Sequence, residues 1–159
     1  MDSISLFYWP KFIAKKKVNA MPPAPTTEQD ITPGRLIGTE QGMIVLALFG
    51  TDYQLHLCVE DEISIALDRP VKGRIYARAR RMDLMASGGR FIEPAYGRPR
   101  RIQGTIAAVN LQANTITVAC AGVSMFICEL GAKQSASEFP YGGLVGFDVE
   151  RGARFELVG

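Results

Sequence analysis

Short apolar segments separated by turn-forming residues constrain the fold of this 159-residue chain more than any other feature. From residue 34 onward, runs rich in Val, Ile, Leu and Phe are punctuated by Gly, Asp, Asn and Pro, as in strands joined by turns. No stretch keeps helical periodicity, and we expect at most a short helical turn at 60–68 and at 133–139. The pattern predicts an all-β protein with strands near 34–39, 43–49, 53–59, 71–80, 102–109, 114–121, 123–130, 143–150 and 153–158.

Composition excludes two broad alternatives and suggests a compartment. Apolar residues make up 47% of the chain, which is too many for a disordered protein. No uninterrupted apolar run reaches the roughly 18 residues of a membrane span, so we expect no transmembrane insertion. The three cysteines are an odd number and too few for a disulfide scaffold, which favours a reducing, cytoplasmic location.

The two halves of the chain align without a gap at a shift of about 70 residues, as the units of an internal repeat would. The shift superposes identical residues, among them Gly34 with Gly104, Cys58 with Cys128, Gly73 with Gly143, and Arg81 with Arg151. Apolar positions coincide as well, for example Leu36 with Ile106 and Leu46 with Ile116. The coincidence predicts an internal duplication, with two tandem small β-barrels at 31–85 and 101–159. A Gly/Pro/Arg-rich linker at 86–100 would join them, and a flexible arm with a Pro-rich linker at 1–30 would precede them.

Three segments of the second half carry a family resemblance: Gly104–Ile106 followed by Asn110, Met125–Ile127, and Gly143–Gly152. Over roughly 101–158 the chain resembles a cold-shock domain, which is an OB-fold barrel. The resemblance implies an OB-like barrel that binds single-stranded nucleic acid by stacking bases on aromatic side chains. Phe126 matches one stacking position, but Ala108, Val109, Thr115 and Thr117 replace the aromatic residues at others. Each stacked base contributes about 1–3 kcal/mol, so the resemblance implies a weakened stacking face.

Charge is strongly segregated although the net charge of the chain is only +2. The segment 69–101 contains ten basic and two acidic residues, a net charge of +8, and the rest of the chain carries −6. Nine of the ten basic residues are arginine, whose planar guanidinium binds phosphates and carboxylates through two parallel hydrogen bonds. The segment therefore suits a polyanion. The alternative is a solvated strand face and a linker that dock on acidic surfaces of the same chain.

The strand at 71–80 places its charged residues on one face. With a period of two, Ile75, Ala77 and Ala79 point inward, and the arginines and the tyrosine between them point outward. Arginines offer phosphate contacts and a tyrosine offers a stacking surface. Together with the linker and the resemblance, this pattern predicts a nucleic-acid-binding site formed by Arg74, Tyr76, Arg78, Arg80, Arg81, Arg98, Arg100, Arg101 and Phe126.

The sequence does not favour an enzyme, a cofactor or a metal site. His56 is the only histidine, and its alternation with Leu55 and Leu57 predicts an ordinary outward-facing residue without a titratable partner for acid–base chemistry. No Cys-x-x-Cys motif is present to bind a metal. The cysteines are expected to pack in the interior.

Two functions follow as hypotheses. The leading one is a non-enzymatic protein that binds single-stranded nucleic acid through its basic strand and linker. The alternative is an interaction or assembly module that docks on a protein partner or a membrane surface through residues 1–17, where an aromatic segment precedes three lysines. An export signal would carry its positive charge before the apolar segment, so we do not expect one.

Overall fold

The computed structural model describes residues 30–158, and within them the fold is all-β, as predicted. The expected arm and its partner-binding segment lie outside these residues, apart from Asp30. Eleven strands are present: β1 (Thr32–Glu40), β2 (Met43–Leu48), β3 (Gln54–Cys58), β4 (Arg69–Leu84), β5 (Phe91–Glu93), β6 (Tyr96–Gly97), β7 (Arg101–Asn110), β8 (Thr115–Ala119), β9 (Met125–Glu129), β10 (Leu144–Val149) and β11 (Arg154–Leu157). A 3-10 turn at Ala136–Glu138 confirms the helical turn expected at 133–139, whereas 60–68 contains none.

Strand β4 is 16 residues long and pairs with β1, β9, β10 and β11. These pairings close two rings. The first ring runs β1–β2–β3–β11–β4 and returns to β1, and the second runs β4–β10–β7–β8–β9 and returns to β4. Within the rings, β3 lies parallel to β11 and β9 lies parallel to β4, so the sheet is mixed.

Neither ring is formed by one continuous stretch of the chain. The first ring is completed by β11, from the C-terminal end, which pairs with β3 and β4. The second ring is completed by residues 75–84 of β4, which pair with β9 and β10. The strand pairings therefore do not divide the chain at the predicted boundaries, because each ring takes a strand from the other half.

The burial of β4 alternates as the sequence predicts. Its inward residues Ile75, Ala77 and Ala79 are at most 4% exposed, and the residues between them are half-buried or exposed. Ala77 lies opposite Cys128 of β9, and Ala79 lies opposite Val149 of β10.

A β-bulge interrupts this alternation further along β4. Ala79 faces Val149 and Met82 faces Phe147, so two residues of β4, Arg80 and Arg81, lie opposite the single residue Asp148 of β10. Because a bulge adds an extra residue to one strand, both arginines are exposed while Met82 returns to the core.

The segment expected to be a linker contains two short strands. β5 pairs with β7 of the second ring, and β6 pairs with β3 of the first. Ile92 is buried at 2% exposure, and the Gln54 N–H donates a hydrogen bond to the Ala95 carbonyl at 2.8 Å. Residues 91–97 therefore join the halves of the chain and also pack against both rings.

Among residues 30–158, no helix has the length and hydropathy needed to cross a membrane.

Candidate functional site

Five arginines from three parts of the chain line two adjoining surface depressions. We name them the arginine face: Arg80 on β4, Arg98 and Arg100 after β6, Arg101 at the start of β7, and Arg151 in the turn between β10 and β11. The outer depression, of about 900 Å³, contains all of them except Arg98. The inner pocket, of about 350 Å³, contains Arg98, Arg100 and Arg151. The two depressions meet because Pro94, Arg100, Val149 and Arg151 line both.

Backbone contacts determine where these arginines lie. The Arg100 N–H donates to the Glu93 carbonyl at 2.8 Å, and the Arg100 carbonyl accepts from the Val149 N–H at 2.9 Å. The turn that carries Arg151 is fastened by the Glu150 N–H, which donates to the Arg78 carbonyl at 2.8 Å. Gly152 follows with a φ of +99°, a conformation that favours glycine. The turn after β10 is thereby held beside the segment after β6.

Four of the five arginines have no acidic partner among the described residues. Arg101 Nη1 lies 3.0 Å from Asp148 Oδ1. No ion pair within 4.0 Å joins any carboxylate of residues 30–158 to the other four: Arg80, Arg98, Arg100 and Arg151. Glu93, Asp148 and Glu150 also line the depressions, so five positive and three negative side chains leave a net positive surface.

Two further predicted arginines of β4, Arg74 and Arg78, contact carboxylates within the protein. Arg74 Nε lies 3.3 Å from Oδ1 of Asp30, which is 2% exposed. Burial raises the pKa of Asp30, although the charge of Arg74 and its hydrogen bond act in the opposite direction. Arg78 Nη2 lies 3.3 Å from Glu129 Oε1, but the Arg78 side chain is 64% exposed, so this surface pair leaves it accessible. Sequence alternation correctly places Arg74 and Arg78 away from the core, but it does not reveal these carboxylates on other elements.

Tyr76 is covered rather than open for stacking. The Arg154 guanidinium carbon lies 4.1 Å from the centre of its ring, and its hydroxyl donates to Glu156 Oε1 at 3.1 Å. Burial and then the Glu156 hydrogen bond raise the pKa of Tyr76. Both partners lie on β11, which pairs with this part of β4.

The two remaining predicted residues lie outside the arginine face. Phe126 is completely buried, so its ring is not available to a base, because residues that alternate on β9 point into the second ring. Arg81 pairs with Asp83 at 3.0 Å, but both side chains are more than half exposed. Such a surface pair contributes little to stability, and Arg81 remains accessible beside the site.

The inner pocket combines the arginines with aromatic and sulfur-containing side chains. His56 and Cys58 of β3, Met43 of β2 and Tyr96 of β6 line it. The rings of His56 and Tyr96 meet edge to face, with centroids 4.8 Å apart and planes at 76°, and Tyr96 remains 64% exposed. Within residues 30–158, the buried His56 Nε2 atom has no hydrogen-bond partner. The sequence predicted an ordinary outward histidine, and the structure half-buries it beneath Tyr96.

Sequence reasoning missed Arg151, Tyr96 and His56 as members of one site. The one available signal for Arg151 was its coincidence with Arg81 when the two halves are aligned. No local pattern shows that the turn after β10 packs beside residues 94–100, because that proximity arises from pairing between distant strands.

In the part of the chain that the structure describes, no three His, Cys, Asp or Glu side chains come together in a group able to hold a metal ion. Comparison with known proteins adds no relative, since no family model, curated protein or solved structure matches this chain.

Proposed function

We propose that this protein binds single-stranded nucleic acid without converting it chemically, and that the arginine face holds the phosphates. The observation that carries the proposal is the set of four arginines around the adjoining depressions that have no acidic partner in residues 30–158. Arginine binds phosphate oxygens through charge-assisted hydrogen bonds, and contacts of this kind position a nucleic acid without reading its sequence.

Ion pairing distinguishes this proposal from the self-docking alternative. The self-docking alternative requires the whole basic segment to pair with carboxylates of the same chain. Such pairs form at Arg74, Arg78, Arg81 and Arg101. Four arginines without such a partner in the described chain gather around the two depressions. Arg69 and Arg90 also have no ion pair in residues 30–158, but they line neither depression. Arginines that neutralise phosphates release counterions from the nucleic acid, which supplies a large share of its affinity, so this cluster favours an external polyanion.

A matched pair of triple variants tests the proposal. In one variant, Arg80, Arg100 and Arg151 become glutamine. In the control, glutamine replaces Arg69, Lys72 and Lys133, which are exposed, line neither depression and have no ion pair within residues 30–158. Both variants lose the same charge, so a difference between them reports position rather than net charge.

The readout is fluorescence anisotropy of labelled single-stranded RNA and DNA over a range of salt concentrations. Single-strand binding has a log–log salt slope of about 0.7 per phosphate contact, so the first variant is expected to lower the magnitude of the slope by about 2, and the control to leave it nearly unchanged. Equal losses in both variants, or no binding by the wild type at low salt, would contradict the proposal.

We also propose that each ring is an OB-like barrel and that the two arose by duplication. Each ring has five strands, as an OB barrel has. In each ring, the third of three antiparallel strands pairs with a parallel strand: β3 with β11, and β9 with β4. A bulge interrupts β1 between Leu36 and Gly38, and another interrupts β7 between Ile106 and Ala108, at the positions that the gapless shift aligns. These correspondences support the proposal.

The duplication must include differences in turn length. Gly34 faces Val71 of β4, and Gly104 faces Val145 of β10, so Val71 and Val145 are structurally equivalent. The gapless shift instead aligns Val145 with Ile75, four residues further along β4. It therefore matches β1 with β7 but not every later strand. The aligned cysteines also differ in their surroundings, since Cys58 is half-buried and Cys128 is completely buried.

Two further expectations belong to the same proposal. A cytoplasmic location agrees with three free cysteines, since a reducing compartment keeps thiols unpaired. The assembly hypothesis concerns residues 1–17, which lie outside the described residues. Deletion of residues 1–25 separates the two functions, because nucleic-acid binding through the arginine face is expected to survive it and a complex formed through the arm is not.

A further inference from the structure

We infer that the inner pocket holds one unpaired nucleotide of the bound strand, with the base against Tyr96 and the phosphates on Arg98, Arg100 and Arg151. The inference rests on the proposed function and specifies its ligand: a strand whose bases are free to leave their stack. It concerns a surface of the first ring, away from the positions in β7 and β8 that match the stacking face of cold-shock domains.

The size and lining of the pocket suit one base with its sugar. Its volume of about 350 Å³ falls in the lower part of the range of small-molecule sites, about 300–1,000 Å³. Apolar parts of Met43, Pro94, Val149 and Ala153 form much of its wall. A planar base would replace water against these groups.

Tyr96 presents the stacking surface. Its ring contacts His56 edge to face, at 4.8 Å between centroids, and the side chain is 64% exposed. Tyr76, by contrast, is covered by Arg154. Contact with His56 steadies the orientation of the Tyr96 ring, so stacking on it requires little further ordering of the side chain.

His56 reports on the same place. Its ring lies edge to face with Tyr96, and its Nε2 is buried without a partner in residues 30–158. A base stacked on Tyr96 does not reach this buried atom, but it changes the surroundings of the His56 ring.

The arginines connect the pocket to the rest of the strand. Arg100 and Arg151 line both depressions. A phosphate bound between them therefore adjoins the base in the inner pocket on one side and, on the other, the sugar–phosphate chain that crosses Arg80. A base that is stacked within a duplex does not expose its face to a protein side chain. The site therefore selects single strands over duplexes, because only an unpaired nucleotide can turn its base out of the strand.

The test separates base recognition from phosphate binding. Two probes of equal length are titrated: oligothymidylate, and the same sugar–phosphate chain with abasic sites. The variants are Tyr96→Ala and, as a matched control, Tyr141→Ala, which removes another tyrosine that is 79% exposed and lines neither depression. Circular dichroism verifies that both variants keep the fold.

Wild-type protein is expected to bind the thymidylate about 5- to 100-fold more tightly than the abasic chain, as expected for one stacked base. Tyr96→Ala should remove most of that ratio and leave the affinity for the abasic chain unchanged. Tyr141→Ala should keep the full ratio. As His56 is the only histidine, its ring signals in NMR spectra are unambiguous, and they should shift with thymidylate and much less with the abasic chain.

Other outcomes overturn the inference in distinguishable ways. If the wild type binds both probes equally and with a strong salt dependence, or if Tyr96→Ala keeps the ratio, the inner pocket takes no base and the proposed function stands. If neither probe binds at low salt, both the proposed function and the inference fail.

Discussion

The three cysteines show how neighbouring atoms decide the reactivity of a side chain. Cys58 is half-buried at the wall of the inner pocket, whereas Cys120 and Cys128 are completely buried. Burial raises the pKa of both buried thiols, and the charge of Cys120 raises the pKa of Cys128 further. Because the thiolate is the reactive species, the two buried cysteines are expected to be inert in the folded protein.

We therefore expect a thiol-specific chromogenic reagent to modify one cysteine per native chain at neutral pH and all three after denaturation. Cys58→Ser is the matched control and should leave no rapidly reacting thiol. Rapid modification of two or three cysteines under native conditions would show that Cys120 and Cys128 are not buried as described.

The charged residues show what alternation can and cannot predict. A period of two correctly places Arg74, Tyr76 and Arg78 away from the core. Each of them then meets a partner outside β4. Arg74 meets Asp30, Tyr76 meets Arg154 and Glu156, and Arg78 meets Glu129. A sequence pattern specifies the face of a strand, but the partner depends on which strand lies beside it.

At the scale of the secondary-structure elements, β4 and β11 pack closely at Gly73. A Cβ atom added at Gly73 of β4 would overlap the Phe155 ring and the Glu156 carbonyl oxygen of β11. Glycine is required here because two strands and an aromatic ring approach the same point. Nothing in the local sequence distinguishes this glycine from one in a turn.

Gly73→Ala is expected to lower the free energy of unfolding by about 1–3 kcal/mol, since overpacking a filled core forces neighbours apart. Gly89→Ala is the control, because a Cβ at Gly89 would meet no atom of the described residues within 4 Å. Equilibrium denaturation followed by circular dichroism measures both variants. Equal stability of the two would mean that β11 does not pack on β4 as described.

Over the whole molecule, the shared strand β4 links the stability of the two rings. Ile75 pairs with Phe155 of β11 and with Phe126 of β9, so one stretch of backbone belongs to both rings. Loss of either ring leaves β4 with unpaired backbone groups and exposed apolar side chains. We expect the described residues to unfold in a single transition rather than as two independent barrels.

Phe155→Ala tests this coupling. Phe155 is 3% exposed in the first ring, and its truncation is expected to cost about 3–5 kcal/mol. Because the rings share β4, modification of Cys120 and Cys128, which follows unfolding of the second ring, should begin at a correspondingly lower denaturant concentration. Phe49→Ala, at a residue 36% exposed, is the control and should change little. Unchanged protection of both cysteines in Phe155→Ala would show that the rings unfold independently.

Local patterns in the sequence were sufficient for the all-β class, for the approximate position of each long strand and for the outward face of β4. They succeed because side-chain alternation and turn residues depend on neighbours in the chain. They also identified Arg80, Arg98, Arg100 and Arg101 as candidate site residues.

Tertiary structure alone decided three other features: the ring to which each strand belongs, the arginines that keep no acidic partner in the described chain, and the position of Arg151 and His56 beside Tyr96. Each depends on contacts between residues far apart in the chain. In the first ring, β11 pairs with the distant β4, as Arg154 opposite Tyr76 shows. No local periodicity encodes such a pairing, because its free energy comes from closing both rings around a shared strand.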